Sequence, residues 1–75
     1  MNNMLINGFI RENRLASGKV VDLQVLLGHR MWSNFSDTEK RTLGKEFFKS
    51  VSNGEINCVA FDHINSARHA YYIIK

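Results

Sequence analysis

The sequence predicts a small α+β domain in which helices and one short strand come first and a pair of strands closes the chain. The segment between Ser36 and Gly54 has apolar residues at helical spacing and a start and stop signal. Residues 55–61 and 69–74 are rich in Ile, Val, Phe and Tyr, as strands are. With 75 residues, of which 44% are hydrophobic, the sequence predicts one domain, 1–75, around one core.

The first segment, residues 3–15, predicts a helix because apolar side chains recur on one face at Leu5, Ile6, Phe9 and Ile10. An asparagine at position 2 or 3 would cap its start, and Ser17-Gly18 would close it. Gly8 costs a helix about 1 kcal/mol relative to Ala. A strand through residues 8–11 therefore stays open as the alternative.

The next elements are short. Residues 19–21 contain two adjacent valines, which is enough for one brief strand. Asp22 stands at the N-cap of a leucine-rich run that Gly28 ends, so a helix of about two turns is expected. Its inward residues would be Leu23, Leu26 and Leu27. Residues 29–35 predict a loop, with Trp32 and Phe35 anchoring it to the core.

The helix after this loop has the clearest signals in the chain. Ser36 followed by Glu39 forms a capping box, in which side chain and backbone hydrogen-bond reciprocally. Asn53-Gly54 provides the stop. Leu43, Phe47 and Val51 share one face and are expected to point into the core.

A basic row lies on the opposite face of this helix. Its members are Arg41, Lys45 and Lys49, accompanied by Thr38 and Thr42. Like charges four residues apart destabilise a helix by about 0.2–0.5 kcal/mol a pair. The pairs Asp37–Arg41 and Glu46–Lys49 would recover part of that. Phosphates would turn the repulsion into attraction, so the row predicts nucleic-acid binding, with a merely solvated surface as the plain alternative.

The chain ends in a predicted hairpin with a long tip. The tip, residues 62–68, would present Arg68 together with His63 and His69. In mid-helix, Gly44 is expected to mark the close approach of another element. Trp32 is expected to cover the core, with stacking on a base as the alternative.

The order helix, strand, helix, helix, strand, strand resembles the winged-helix variant of the helix-turn-helix fold. That resemblance implies that the basic helix enters the major groove of duplex DNA and that Arg68, on the wing, contacts the backbone. Asp37, Thr38 and Lys40 at the start of the helix are not the side chains that read guanine or adenine bidentately. Phosphate contacts are therefore expected, rather than sequence readout.

Other chemistry finds little support in the composition. Cys58 is the only cysteine and lies in an apolar segment, so we expect an inert thiol, no disulfide and a reducing cytoplasm. The three histidines have no metal-ligand spacing, and no catalytic motif is present. We therefore expect no metal, no cofactor and no enzymatic activity. No membrane span or signal peptide is expected either.

The pattern Trp32, Phe35-Ser36, Leu43-Gly44-x-x-Phe47, Val51 and Gly54-x-Ile56, ending in an aromatic strand, resembles a family of short bacterial and phage proteins catalogued as a domain of unknown function. The resemblance covers residues 21–72. It implies a small regulator, or an inhibitor of a host or defence complex encoded by a phage or mobile element. Such an inhibitor would bind an acidic or nucleic-acid-binding surface of a partner protein. The net charge of +3 favours an anionic partner only mildly. A homodimer would bury more surface, although nothing in the sequence requires one.

Overall fold

The computed structural model describes all residues from Met1 to Lys75. The elements are α1 (Asn3–Glu12), β1 (Val20–Val21), α2 (Leu23–Leu27), α3 (His29–Trp32), α4 (Asp37–Ser52), β2 (Val59–Ile64) and β3 (Ala70–Ile74). The strands form one antiparallel sheet in the order β1-β3-β2. The predicted α+β class is therefore confirmed. An additional helix, α3, occupies the first four residues of the predicted loop 29–35.

Residues Asn3–Glu12 form helix α1, which excludes the alternative of a strand through residues 8–11. The side chain of Asn2 caps it by accepting a hydrogen bond from the Leu5 amide at 2.9 Å. The helix ends at Glu12, earlier than the predicted Ser17-Gly18 stop. The end is made by Arg14, which adopts a left-handed φ of 54°. An arginine is an uncommon residue in that conformation, so the sequence carries no signal for this end.

Asn3 joins the beginning of the chain to the end. Its side-chain oxygen accepts hydrogen bonds from the amides of Asn57 and Cys58 at 2.9 and 3.0 Å. The amides of Glu55 and Ile56 donate instead to the Ser50 carbonyl. Because all four amides are committed to these partners, none of them donates to the sheet, although the Cys58 carbonyl accepts a hydrogen bond from the Lys75 amide at 3.0 Å. Strand β2 consequently begins at Val59, four residues later than predicted.

The short helices follow from local capping. Asp22 caps α2 by accepting from the Val25 amide at 2.9 Å. Gly28 ends it with a φ of 93°, and a Cβ there would lie 3.1 Å from the side chain of Asn13. This position therefore requires glycine for both its conformation and its neighbour. Trp32, at the end of α3, is half-buried against the core, as expected.

Helix α4 has both ends where the sequence predicts them. The Glu39 amide donates to the Ser36 hydroxyl at 3.1 Å, and the Ser36 amide donates to the Glu39 carboxylate at 2.8 Å. Hydrogen bonding of the Glu39 carboxylate to the Ser36 backbone amide, and secondly to the Ser36 side chain, holds the pKa of Glu39 below its usual value near 4.5. Gly54 follows the helix with a φ of 78°. The capping box and the glycine stop are thus confirmed.

The core lies between the sheet and the helices. Its ten buried apolar residues are Ile6, Val21, Leu23, Leu26, Leu27, Phe47, Ile56, Val59, Tyr72 and Ile74. Phe47 is fully buried and meets Tyr72 edge-to-face at a centroid distance of 4.7 Å. Leu43 and Val51 are only half-buried, whereas Ser50 is 6% exposed. The inward side of α4 is therefore centred between Phe47 and Ser50.

The hairpin is tighter than predicted. Strands β2 and β3 stay paired as far as Ile64 and Ala70, so the tip shrinks from residues 62–68 to 65–69. The side chain of Asn65 organises the tip by accepting from the amides of Ala67 and His69 at 3.0 and 2.9 Å. This arrangement places Arg68 at a left-handed φ of 61°.

Candidate nucleic-acid interface

The basic row on α4 projects into solvent. Arg41, Lys45 and Lys49 are all exposed, and Lys45 lies roughly 200° around the helix from the buried Phe47. The only contacts within 4 Å between basic and acidic side chains join histidines to aspartates, so no lysine or arginine has a carboxylate within that distance. The expected pairs Asp37–Arg41 and Glu46–Lys49 are not formed. The row therefore carries three cations that no acid neutralises.

The two threonines expected beside this row are also exposed. Thr42 donates its hydroxyl hydrogen to the Thr38 carbonyl at 3.1 Å, within the helix. That hydroxyl can still accept a hydrogen bond but has no second hydrogen to donate. Thr38 and Thr42 lie on the same outward side of α4 as Lys45 and Lys49.

A groove lies between α4 and the C-terminal hairpin and has a volume of about 530 Å³. Its apolar wall includes Leu23, Trp32, Phe48, Ile64, Ala70 and Tyr72. Its cationic wall is formed by four Lys or Arg side chains and one histidine: Lys40, Arg41, Lys45, Arg68 and His69. No carboxylate lines it. We call this feature the α4–hairpin groove.

The predicted site residues divide between the groove and the outer face of α4. Arg41, Lys45 and Arg68 line the groove, whereas Thr38, Thr42 and Lys49 do not. The fold thus brings the hairpin-tip arginine to the same concavity as two members of the row. Arg41 and Lys45 connect the two surfaces, because they belong to both.

Lys40 and Trp32 form a contact that sequence reasoning missed. The ammonium of Lys40 lies 5.6 Å from the centroid of the Trp32 ring, within cation–π range. Helical geometry places Lys40 about 100° from Arg41, towards the groove. The side of the helix on which Lys40 lies follows from the sequence. The position of Trp32 beside it does not, because that position depends on the short helix α3.

Phe48 is the second missed residue. The sequence places it at the flank of the core, but 39% of its surface is exposed over the groove. Its ring meets Phe61 of β2 edge-to-face at 5.4 Å, and Phe61 is itself 42% exposed. Ile64, at the end of the same strand, is 51% exposed. An accessible apolar strip therefore runs beside the cations.

Gly44 faces the groove, and its predicted role is wrong. A Cβ at this position would have no atom within 4 Å, so no other element approaches it closely. The glycine instead leaves free space along the wall of the groove between Arg41 and Phe48. Gly8 of α1 is likewise a helical glycine with open space around it.

The hairpin histidines have different surroundings. His69 contacts Asp22 through its Nε2 atom at 2.9 Å, while the other oxygen of that carboxylate caps α2. This contact fixes the base of the hairpin tip to α2. His63 stacks on Tyr71 at 4.8 Å and does not line the groove. The protein has no group of three or more His, Cys, Asp or Glu side chains placed to hold a metal ion.

Burial changes the pKa of two groups near the core. Desolvation raises the pKa of the Cys58 thiol, so it is protonated at neutral pH and a weak nucleophile. Desolvation also raises the pKa of Tyr72 to about 12. Tyr72 therefore contributes a neutral, apolar ring to the wall of the groove.

The comparisons with known proteins place the chain in one family. No curated protein and no solved structure matches it significantly. None of its helices combines the length and the apolar character needed to cross a bilayer. The model of the family described as "Domain of unknown function (DUF1413)" matches residues 11–73. The match includes the whole of residues 21–72, over which the sequence pattern resembles such a family, and the chain belongs to the DUF1413 family.

Proposed function

We propose that this protein is a small, non-enzymatic regulator that binds the phosphate backbone of duplex DNA. The observation that carries the proposal is the row Arg41, Lys45 and Lys49, whose side chains are exposed and have no carboxylate within 4 Å. An isolated domain pays for this like-charge crowding in stability, whereas phosphates make it favourable. Arg68 adds a fourth cation from the hairpin.

The topology supports a winged-helix interpretation of the fold. Strand β1 lies between α1 and α2 in the chain, pairs with β3 at the edge of the sheet and leaves β2–β3 as a hairpin. In that interpretation α4 is the helix that approaches the duplex and the hairpin is the wing. The exposed surface of α4 carries the basic row, so the topology and the charge distribution support the same binding face.

The proposed contacts position the protein without reading sequence. From Arg41 to Lys49 the row covers about 12 Å along the helix axis, comparable to the axial rise across about three phosphates of one strand. With Arg68, about four phosphates would be neutralised. The logarithm of the binding constant should then fall with the logarithm of salt concentration with a slope near −3 to −4.

A salt titration of binding to random-sequence duplex DNA tests the proposal. Lys45→Glu should weaken binding and make the salt dependence shallower. Lys19→Glu makes the same change in net charge at an exposed position before β1, the strand at the opposite edge of the sheet from β2. It should have a much smaller effect. Failure to bind duplex at low salt, or equal losses in the two variants, would refute the proposal.

The exposed apolar strip favours a second candidate, a protein-interaction module. Phe48 and Ile64 would pack against a partner, and the cations around them would face an acidic surface. An inhibitor of a nucleic-acid-binding complex would have these properties. A pull-down from nuclease-treated bacterial lysate separates the candidates. A stoichiometric protein partner supports the module, and recovery only of nucleic acid from untreated lysate supports the DNA-binding function.

A further inference from the structure

We infer that the α4–hairpin groove binds an unpaired nucleotide of the nucleic acid that the protein holds, with its base on the apolar wall and its phosphates on the cationic one. The inference rests on the proposed function and goes beyond it, since a duplex backbone would engage only the cations and leave the apolar wall of the groove unused. The site is defined by the base-contacting residues Trp32, Phe48 and Ile64 and the phosphate-contacting residues Arg41 and Arg68.

The apolar wall has no counterpart on an intact duplex. A duplex presents phosphates and polar base edges, while the flat faces of its bases are stacked on one another. Phe48 and Ile64 remain 39% and 51% exposed, although the ring of Phe48 packs against Phe61. An unpaired base offers an apolar face of the kind that stacks on aromatic rings. Such a base would cover surface that is otherwise left in water.

The cationic wall supplies the other half of a nucleotide's chemistry. Arg41 and Lys45 come from α4, and Arg68 comes from the hairpin tip on the other side of the groove. Asp22, the acid nearest the tip, contacts His69 and does not line the groove. A ligand in the groove would therefore meet positive charge on both sides. That arrangement fits phosphates on either side of one base.

The dimensions agree with this occupant. The groove volume of about 530 Å³ falls within the range of about 300–1,000 Å³ that is usual for sites that bind small organic groups. Gly44 contributes free space, because a side chain there would project from α4 into the groove. The groove is open to solvent, so a strand can enter and leave it, which an enclosed cavity would not permit.

The sole tryptophan makes the site observable. Trp32 lies in the wall of the groove, and the chain has no other tryptophan. A base bound there should quench its fluorescence. We would titrate the full chain with an eight-nucleotide oligothymidylate, with an abasic eight-mer of identical charge, and with a blunt random-sequence duplex.

The oligothymidylate should quench Trp32 and bind roughly five- to a hundredfold more tightly than the abasic strand, the range expected for one stacked base. Quenching by the duplex should be small even where it binds. Ile64→Ala and Phe48→Ala should lower the affinity for oligothymidylate towards that for the abasic strand. Val25→Ala, which truncates a 43% exposed side chain of α2 outside the groove, should leave it unchanged.

Each alternative result has a distinct meaning. Equal affinity for the thymidylate and abasic strands, or an unchanged Trp32 signal, would overturn the groove site. Duplex binding that is lost in Lys45→Glu would then still support the proposed function. Free thymidine monophosphate that binds as tightly as the strand would assign the groove to a mononucleotide and overturn the inference. If no nucleic acid binds, both proposals fail, and an acidic protein partner becomes the occupant to test.

Discussion

The outer face of α4 and its groove face belong to one helix, but the first is defined by residue spacing in the sequence and the second by tertiary contacts. The outer face, with Lys45 and Lys49, is set by spacing of four residues along the chain. The groove face, with Lys40 and Phe48, becomes a site only where Trp32 and the hairpin stand opposite it. A surface of the first kind is encoded locally. One of the second kind depends on the tertiary structure.

The largest expected effect comes from removing the residue that supports both faces. Phe47→Ala should cost about 3–5 kcal/mol, because Phe47 is fully buried against Tyr72. A domain of this size has about that much stability, so the variant should be largely unfolded. Phe48→Ala, at the next residue, should cost only about 1–2 kcal/mol because its ring is part-exposed. Thermal melts followed by circular dichroism measure the difference. Similar losses in the two variants would contradict the burial described here.

The next comparison uses two glycines in two helices. Gly44→Ala and Gly8→Ala should each stabilise the fold by about 1 kcal/mol, since both are helical and neither Cβ would meet an atom within 4 Å. Only Gly44→Ala adds a methyl group to the groove wall, so it alone should weaken oligothymidylate binding. Denaturant unfolding and fluorescence titration give the two readouts. If Gly44→Ala binds as tightly as the unaltered protein, the space at this position is not used by the ligand.

A smaller effect should separate two arginines in left-handed conformations. Arg14 and Arg68 have φ values of 54° and 61°, and such a conformation costs an ordinary residue about 1–2 kcal/mol. Glycine removes this cost but loses more entropy on folding, so each Arg→Gly change should stabilise by about 0.5–1 kcal/mol. Arg68→Gly should also weaken nucleic-acid binding, whereas Arg14→Gly should not. A stability gain without loss of binding in Arg68→Gly would remove this arginine from the site.

The sequence predicts the features that depend on residues close together in the chain. The capping box of Ser36 and Glu39 and the N-cap at Asp22 are confirmed because each is complete within four residues. The start of β2 was predicted wrongly because the amides of Asn57 and Cys58 bond to Asn3, more than fifty residues away. No periodicity encodes that contact.

The same distinction applies to the candidate site. Arg41, Lys45 and Lys49 could be identified from spacing alone, and their exposure follows from the position of Phe47. The groove could not, because it needs the register of the hairpin and the short helix that carries Trp32. Gly44 shows the difference most clearly. Its presence in mid-helix was visible, but only the fold shows that it faces free space and not a neighbouring element.

The smallest expected effect concerns the capping box at the N-terminus of α4. The pKa of the Glu39 carboxyl group is lowered by hydrogen bonding, first to the Ser36 backbone amide and second to the Ser36 side chain. A carboxyl group whose pKa is lower in the folded state stabilises the fold above its unfolded pKa, near 4.5, and loses that contribution as pH falls through the folded value. Stability should therefore decline below about pH 4.5, and the decline should be shallower in Glu39→Gln. Urea unfolding between pH 3 and 7 measures both slopes. Because Glu39 is exposed, the difference should be modest, and identical slopes would mean that other carboxyl groups dominate the acid response.

The first turn of α4 carries Thr38 on the outer face and Lys40 on the groove face. Loosening the cap should therefore weaken both duplex binding and single-strand binding, and not one of them alone.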